Sequence, residues 1–104
     1  MYGRLVEIEG IDPSKRAEAE QNLRERVIPA LRGKEGFRGF ISMADAENRR
    51  VRGIVLWETR EGAEDAEREL GPLRNEMVSG MGATVRSADL YEVLVAELPE
   101  AARA

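Results

Sequence analysis

The chain of 104 residues contains no histidine and no cysteine. Without histidine it has no imidazole general base, no Ser-His-Asp triad and no histidine ligand for zinc or haem iron. Without cysteine it has no disulfide, thiolate metal site or thiol nucleophile, as is typical of a reducing compartment. Acid–base chemistry therefore falls to carboxylates, tyrosine, arginine or water. We expect no metal and no cofactor.

Positive charge and long apolar runs are also scarce. The formal net charge is −4, which disfavours nucleic-acid binding because phosphate contacts require a surplus of lysine and arginine. No segment approaches the ~20 apolar residues of a membrane span. The N-terminal sequence MYGRLVEIEG lacks the basic start and apolar run of a signal peptide. We therefore expect a cytoplasmic protein that binds neither nucleic acid nor membrane.

Hydrophobic periodicity predicts one domain over residues 1–104, with the element order β-α-β-β-α-β. Asp12 and Thr59 are predicted N-caps of the two helices. Pro29 predicts a bend near the end of the first helix, and Gly71-Pro72 predicts that the second helix forms two pieces. The predicted strands cover residues 2–9, 37–43, 50–58 and 89–98, the first helix covers 14–32, and 79–87 is a loop.

This order is the ferredoxin-like α+β fold, an antiparallel sheet with two helices on one face. The second face of such a sheet is polar when it meets water. Here residues 54–57 (IVLW) and 93–96 (VLVA) are apolar at successive positions, so both faces of these strands are apolar. No other segment of the chain is left to cover the second face. The pattern therefore predicts a homodimer that forms through the sheet face.

Three stretches carry a family resemblance: residues 28–32 (IPALR), residues 36–39 (GFRG) and residues 56–59 (LWET) before an acidic, alanine-rich helix. Over nearly its whole length the chain resembles the antibiotic biosynthesis monooxygenase (ABM) family. The resemblance implies a dimeric α+β barrel. Some members oxidise polycyclic aromatic substrates without a cofactor, and others degrade haem with an axial histidine and an asparagine in the first strand. That strand here carries Glu7 and Glu9, and histidine is absent, so haem degradation is disfavoured.

Trp57 is favoured as a core anchor at a strand end, with the wall of a ligand pocket as the alternative. The resemblance matches it to a family position near the pocket. Arg52 and Phe40 are further candidates for a pocket that holds a small apolar or aromatic ligand.

Two carboxylates interrupt apolar strands and are candidate catalytic residues. Glu7 and Glu92 are predicted to share one sheet face with Arg52. They form either an ion-paired cluster at the barrel rim or interface, or a base that takes a proton from a phenol or enol. Tyr91 is either a proton donor or an interface hydroxyl.

Two functions remain open at this point. One is a cofactor-independent monooxygenase that acts on a small aromatic or enolic substrate. The alternative is a non-catalytic dimeric module that binds a small ligand or only assembles. A hollow interior where a carboxylate and an aromatic side chain converge favours the enzyme, and a filled interior favours the module.

Overall fold

A computed structural model describes residues 1–99; the predicted domain's last residues, 100–104, lie outside the described part. Four antiparallel strands form one sheet in the order β2-β3-β1-β4, with two helical segments on one face. The predicted ferredoxin-like α+β fold is confirmed, and in the sheet the first strand lies between the third and the fourth. The elements are β1 Tyr2–Glu9, α1 Arg16–Asn22, α2 Ile28–Arg32, β2 Phe37–Asp45, β3 Arg50–Trp57, α3 Arg60–Gly80 and β4 Thr84–Glu92.

The first helical segment contains a π-helical turn, Leu23–Val27, between α1 and α2. Asp12 caps the segment as predicted, since its carboxylate accepts a hydrogen bond from the Ser14 amide at 2.9 Å, and this bond lowers the pKa of Asp12. Pro29 lies in the first turn of α2, where a missing N–H is tolerated. The chain therefore accommodates Pro29 by a wide turn directly before it.

Helix α3 is continuous over 21 residues. Thr59 caps it as predicted, because its hydroxyl oxygen accepts a hydrogen bond from the Gly62 amide at 3.0 Å. The prediction of two pieces at Gly71-Pro72 is wrong. Proline removes one backbone hydrogen bond, but the apolar stripe keeps the same phase on both sides of it, so packing against one sheet holds the helix together.

The last strand begins earlier in the chain than predicted. It covers Thr84–Glu92 rather than residues 89–98, and much of the predicted loop at 79–87 belongs to α3 and β4. The residues at the start of β4 are small or polar, so they show no clear alternation of apolar and polar side chains. They form a strand because they pair with β1 along its whole length. The apolar run after Glu92 lies beyond the ladder, and Leu94 and Val95 are 88% and 86% exposed.

A short turn joins β2 to β3. The carboxylate of Asp45 accepts hydrogen bonds from the backbone amide of Asn48 at 3.3 Å and from its side-chain amide at 2.9 Å. Arg50 donates to the same carboxylate at 2.6 Å. These bonds lower the pKa of Asp45 to about 2, and the bond from the Asn48 side chain has the largest effect. They hold the two strands in register at this end.

The core lies between the sheet and the helices, at the end of β3. Trp57 is 2% exposed, and its ring meets that of Phe37 edge to face with the centroids 5.9 Å apart. Leu31, Ala63 and Ala66 complete the buried cluster. The core is compact around Trp57 and does not fill the space farther along the strands. Within residues 1–99 no helix has the length and apolarity needed to cross a bilayer.

Candidate functional site

A cavity of about 610 Å³ lies between the sheet and the two helical segments. This volume falls within the ~300–1,000 Å³ of typical small-molecule sites. Two aromatic side chains, Phe40 and Trp57, contribute to its wall. Most of the remaining lining is aliphatic: Val6, Ile8, Leu23, Val27, Ile28, Leu31, Val51, Val55, Leu70, Leu73, Met77 and Val78.

The floor of the cavity is flat at Gly53, in the middle of β3. Gly53 pairs with Val6 on one side and Ser42 on the other. A Cβ atom built on Gly53 would lie 3.8 Å from the Phe40 ring, which is ordinary contact. Glycine weakens a strand interior and often marks a place where a ligand approaches the backbone closely. Gly53 therefore leaves open a space that a side chain would occupy.

Charged residues line the cavity in more than one place, and besides the group described next they are Asp12, Arg16, Glu20, Arg24 and Arg50. Arg4 lies on the helix-facing side of β1, as do Tyr2 and Val6. Its side chain is 13% exposed. Its Nη1 donates to the Ala88 carbonyl at 2.8 Å, and its Nε lies 3.6 Å from Oε1 of Glu67 in α3.

Arg74 holds the same carboxylate by two parallel hydrogen bonds. Its Nη1 donates to Oε1 of Glu67 at 2.7 Å, and its Nη2 donates to Oε2 at 2.8 Å. The Arg4–Glu67–Arg74 triad thus places two cations and one anion beside an apolar cavity. None of these three residues was predicted from the sequence as a site residue. The signal for Arg4 was present, since it is a charged residue among apolar ones of the same strand parity, as Glu7 was.

Trp57 and Phe40, two of the predicted pocket residues, both line the cavity. Trp57 also anchors the core. Arg52 does not line it. Strand alternation places Arg52 on the opposite, helix-free face of the sheet, directly across from Glu7. Arg52 is therefore misassigned as a pocket residue.

The carboxylate of Glu7 belongs to a polar cluster on that helix-free face. Arg52 forms ion pairs with Glu7 at 3.6 Å and with Glu9 at 3.1 Å. The Ser87 hydroxyl donates to Oε2 of Glu7 at 3.1 Å. The cluster has the geometry of the ion-paired interpretation.

Glu92 does not share that face, so the prediction that it joins Glu7 and Arg52 is wrong. Glu92 pairs with Tyr2 on β1, an odd number of residues from Glu7, and alternation turns the two carboxylates to opposite faces. The pairing register of β4 on β1, which sets this face, cannot be obtained from the strand's own sequence. Tyr91 is 55% exposed on the helix-free face. None of the three candidate catalytic residues lines the cavity, and within residues 1–99 no group of three or more Asp and Glu side chains is arranged to hold a metal ion.

Comparison with known proteins yields structures but no sequence family. No family model and no curated protein sequence matches the chain. The monooxygenase of the ActVA-Orf6 gene of Streptomyces coelicolor, solved with nanaomycin D, superimposes with a TM-score of 0.70 at 18% identity, covering 95% of this chain and 92% of that one. SnoaB of Streptomyces nogalater, a cofactor-independent oxygenase, gives 0.67 at 14% identity, covering 95% and 97%.

A putative antibiotic biosynthesis monooxygenase from Nitrosomonas europaea gives a TM-score of 0.64 at 16% identity, covering 91% of this chain and all (100%) of that one. The chain has the ABM-like fold. The resemblance predicted from the sequence is confirmed at the level of fold. At these identities the comparison shows the fold alone.

Proposed function

We propose that this chain is a cofactor-independent monooxygenase that acts on a small aromatic or enolic substrate in the cavity between the sheet and the helices. The observation that carries the proposal is the cavity itself, since a chain of this size with a purely structural role would fill its core. Its aromatic walls and the flat floor at Gly53 suit a planar ring system.

The shared fold supports this assignment. The ActVA-Orf6 protein is a monooxygenase and SnoaB is a cofactor-independent oxygenase, and both cover more than nine-tenths of this chain. Within this chain the helices shield the bound substrate from water, and Phe40 contacts its rings, while Trp57, which is 2% exposed, anchors the cavity wall. Glu7 and Tyr91 take no part, because they lie on the opposite face of the sheet.

The proposed reaction needs no external reductant. A substrate with an activated methylene group beside aromatic rings, such as anthrone, loses a proton to give a stabilised carbanion that dioxygen oxidises. The methylene carbon becomes a carbonyl, one oxygen atom enters the product, and the other leaves as water with the two hydrogens of the methylene. The electrons come from the substrate itself, and the protein contributes binding, orientation and electrostatic stabilisation.

Oxygen uptake with anthrone and related anthrones tests this function. We expect uptake faster than the spontaneous rate, one labelled oxygen atom in the product under isotopically labelled dioxygen, and no loss of rate with a metal chelator. Heat-denatured protein at the same concentration is the control. Tight anthrone binding with no acceleration of oxygen uptake would contradict the enzyme and support the alternative, a ligand-binding module.

We also propose that two copies of the chain pair through the helix-free face of the sheet. Leu5, Ile54 and Leu56 lie in the centre of this face, and Ile41 and Tyr91 are 45% and 55% exposed beside them. Val93, which follows β4, lies beside Ile54 and Leu56 near Gly3, and the same face carries the Glu7–Arg52–Glu9 cluster. A second copy related by a two-fold axis is the occupant that we propose for the apolar part of this face.

Replacing Leu56 by lysine is expected to shift the protein from dimer to monomer, because a charge at the centre of an apolar interface is buried without a partner. Light scattering coupled to size-exclusion chromatography measures the mass. Arg68→Ala, an exposed change on α3, is the matched control and should leave the mass unaltered. A monomeric wild-type protein at micromolar concentration would contradict the proposal.

A further inference from the structure

The guanidinium of Arg4 lies at the wall of the cavity, and the described residues satisfy its hydrogen-bonding groups only in part. Its Nη1 is used by the Ala88 carbonyl at 2.8 Å. Its Nε is inaccessible to solvent and lacks a hydrogen-bond acceptor among the described residues, because the nearest oxygen of Glu67 stands at 3.6 Å. A cation this deeply placed is costly unless other groups compensate its charge. The protein alone compensates it only partly.

The carboxylate of Glu67 cannot fully balance Arg4, because it also serves Arg74. Both of its oxygens accept hydrogen bonds from Arg74 in a bidentate pair. Two guanidinium groups thus share one carboxylate, which leaves a surplus of one positive charge within the Arg4–Glu67–Arg74 triad at the cavity wall. With both oxygens occupied, Glu67 is also badly placed to take a proton from a substrate.

The backbone of α3 is shaped around this arrangement. Gly71 lies one turn after Glu67, and a Cβ atom at that position would stand 2.5 Å from Oε2 of Glu67 and 3.1 Å from its Cδ. Any other residue at 71 would push the carboxylate away from the two arginines. Glycine in a helix interior lowers helix stability relative to alanine, so its presence here keeps the triad in place at a cost to the helix.

We propose that the Arg4–Glu67–Arg74 triad is the anion subsite of the cavity, and that the ligand binds there as an aromatic oxyanion, a phenolate or enolate. The ring system lies between the aromatic walls and the helices, and its oxygen faces Arg4. On binding, the hydroxyl proton leaves to solvent and the oxyanion supplies the negative charge that the triad lacks. The subsite selects ionisable hydroxyl groups over neutral rings of the same shape.

This inference rests on the cavity of the proposed function and assigns the ionisation of its substrate to Arg4. A probe that dioxygen does not oxidise tests it separately. Hydroxyanthraquinone, with its hydroxyl away from the quinone carbonyls, absorbs differently as phenol and phenolate. An opposite charge within hydrogen-bonding reach lowers a pKa by about 1–3 pH units, so we expect a fall of this size for the probe bound to the wild-type protein.

In Arg4→Met the pKa of the bound probe should rise to its value in water or above it, because burial disfavours the phenolate, and in Arg4→Lys part of the fall should remain. Anthraquinone, which has no hydroxyl, should bind equally to wild type and Arg4→Met. Arg38→Met, which removes an exposed strand arginine paired with Glu58, should leave the fall intact. Circular dichroism establishes that each variant is folded.

If Arg4→Met does not fold, the variants Arg74→Met and Gly71→Ala test the anion subsite instead. Loss of Arg74 removes the surplus charge while Arg4 stays, so the fall in pKa should shrink. Gly71→Ala displaces the carboxylate instead, so it should enlarge the fall. An unchanged pKa on binding to wild type, equal falls in wild type and the triad variants, or no binding of the probe would each overturn the anion subsite. A protein that ionises the probe but consumes no oxygen with anthrone would overturn the enzyme and leave the subsite standing.

Discussion

Replacement of Trp57 by alanine is expected to lower the free energy of unfolding by about 3–5 kcal/mol. The side chain is 2% exposed and fills the centre of the only buried cluster described within residues 1–99, so its removal leaves a void that Leu31, Ala63 and Ala66 cannot close. Domains of this size are stable by about 5–15 kcal/mol in total. A loss of this size is a large share of that stability. Urea denaturation followed by far-ultraviolet circular dichroism measures it.

Trp57→Phe is the matched control, because it keeps an aromatic ring in contact with Phe37 and should lose much less stability. A Trp57→Ala protein as stable as wild type would show that Trp57 serves the ligand and not the core. Equal losses in the two variants would instead point to a contact specific to the indole ring.

Replacement of Gly53 by leucine is expected to close the cavity while the fold is retained. A Cβ at this position meets only ordinary contacts, and the rest of the side chain extends over the floor between Val6 and Phe40. Leucine also suits a strand interior better than glycine. Binding of a tricyclic ligand should weaken by at least about tenfold, which corresponds to ~1.4 kcal/mol, without loss of thermal stability. Isothermal titration calorimetry and thermal denaturation measure the two quantities.

Gly39→Ala offers a comparison on the other side of the sheet, where an added Cβ lies 3.7 Å from Leu56 and away from the cavity. It should leave ligand affinity unaltered. If Gly53→Leu bound the ligand as tightly as wild type does, the ligand site would lie elsewhere and the cavity would have no role in binding.

The sequence predicted the parts of this fold that depend on local chemistry. Asp12 and Thr59 cap helices because short polar side chains bond the first free amides. The apolar stripe of α3 follows from its period alone. The limits of β4 could not be predicted in the same way, because its small and polar residues become a strand only through pairing with β1.

The candidate site was less accessible from the sequence. Trp57 and Phe40 could be chosen for their size, and both line the cavity. Arg4, Glu67 and Arg74 come from two distant elements, and their contact depends on the register of β1 under α3. Glu92 was assigned to the wrong face because the sequence alone does not fix the register of β4 on β1, which pairs Glu92 with Tyr2. A change of register by one residue moves a side chain to the other side of the sheet.

The π-helical turn at Leu23–Val27 contains one residue more than an α-helical turn would, and is equivalent to a single-residue insertion. Deleting one residue there would rotate α1 by about 100° relative to α2. Ala19 and Asn22, which line the cavity from α1, would then turn away from the sheet. The roof of the cavity is therefore encoded by the number of residues in this segment as well as by their identity. A relative with a regular α-helix in place of the π-helical turn would place different α1 residues over the cavity, on the same sheet.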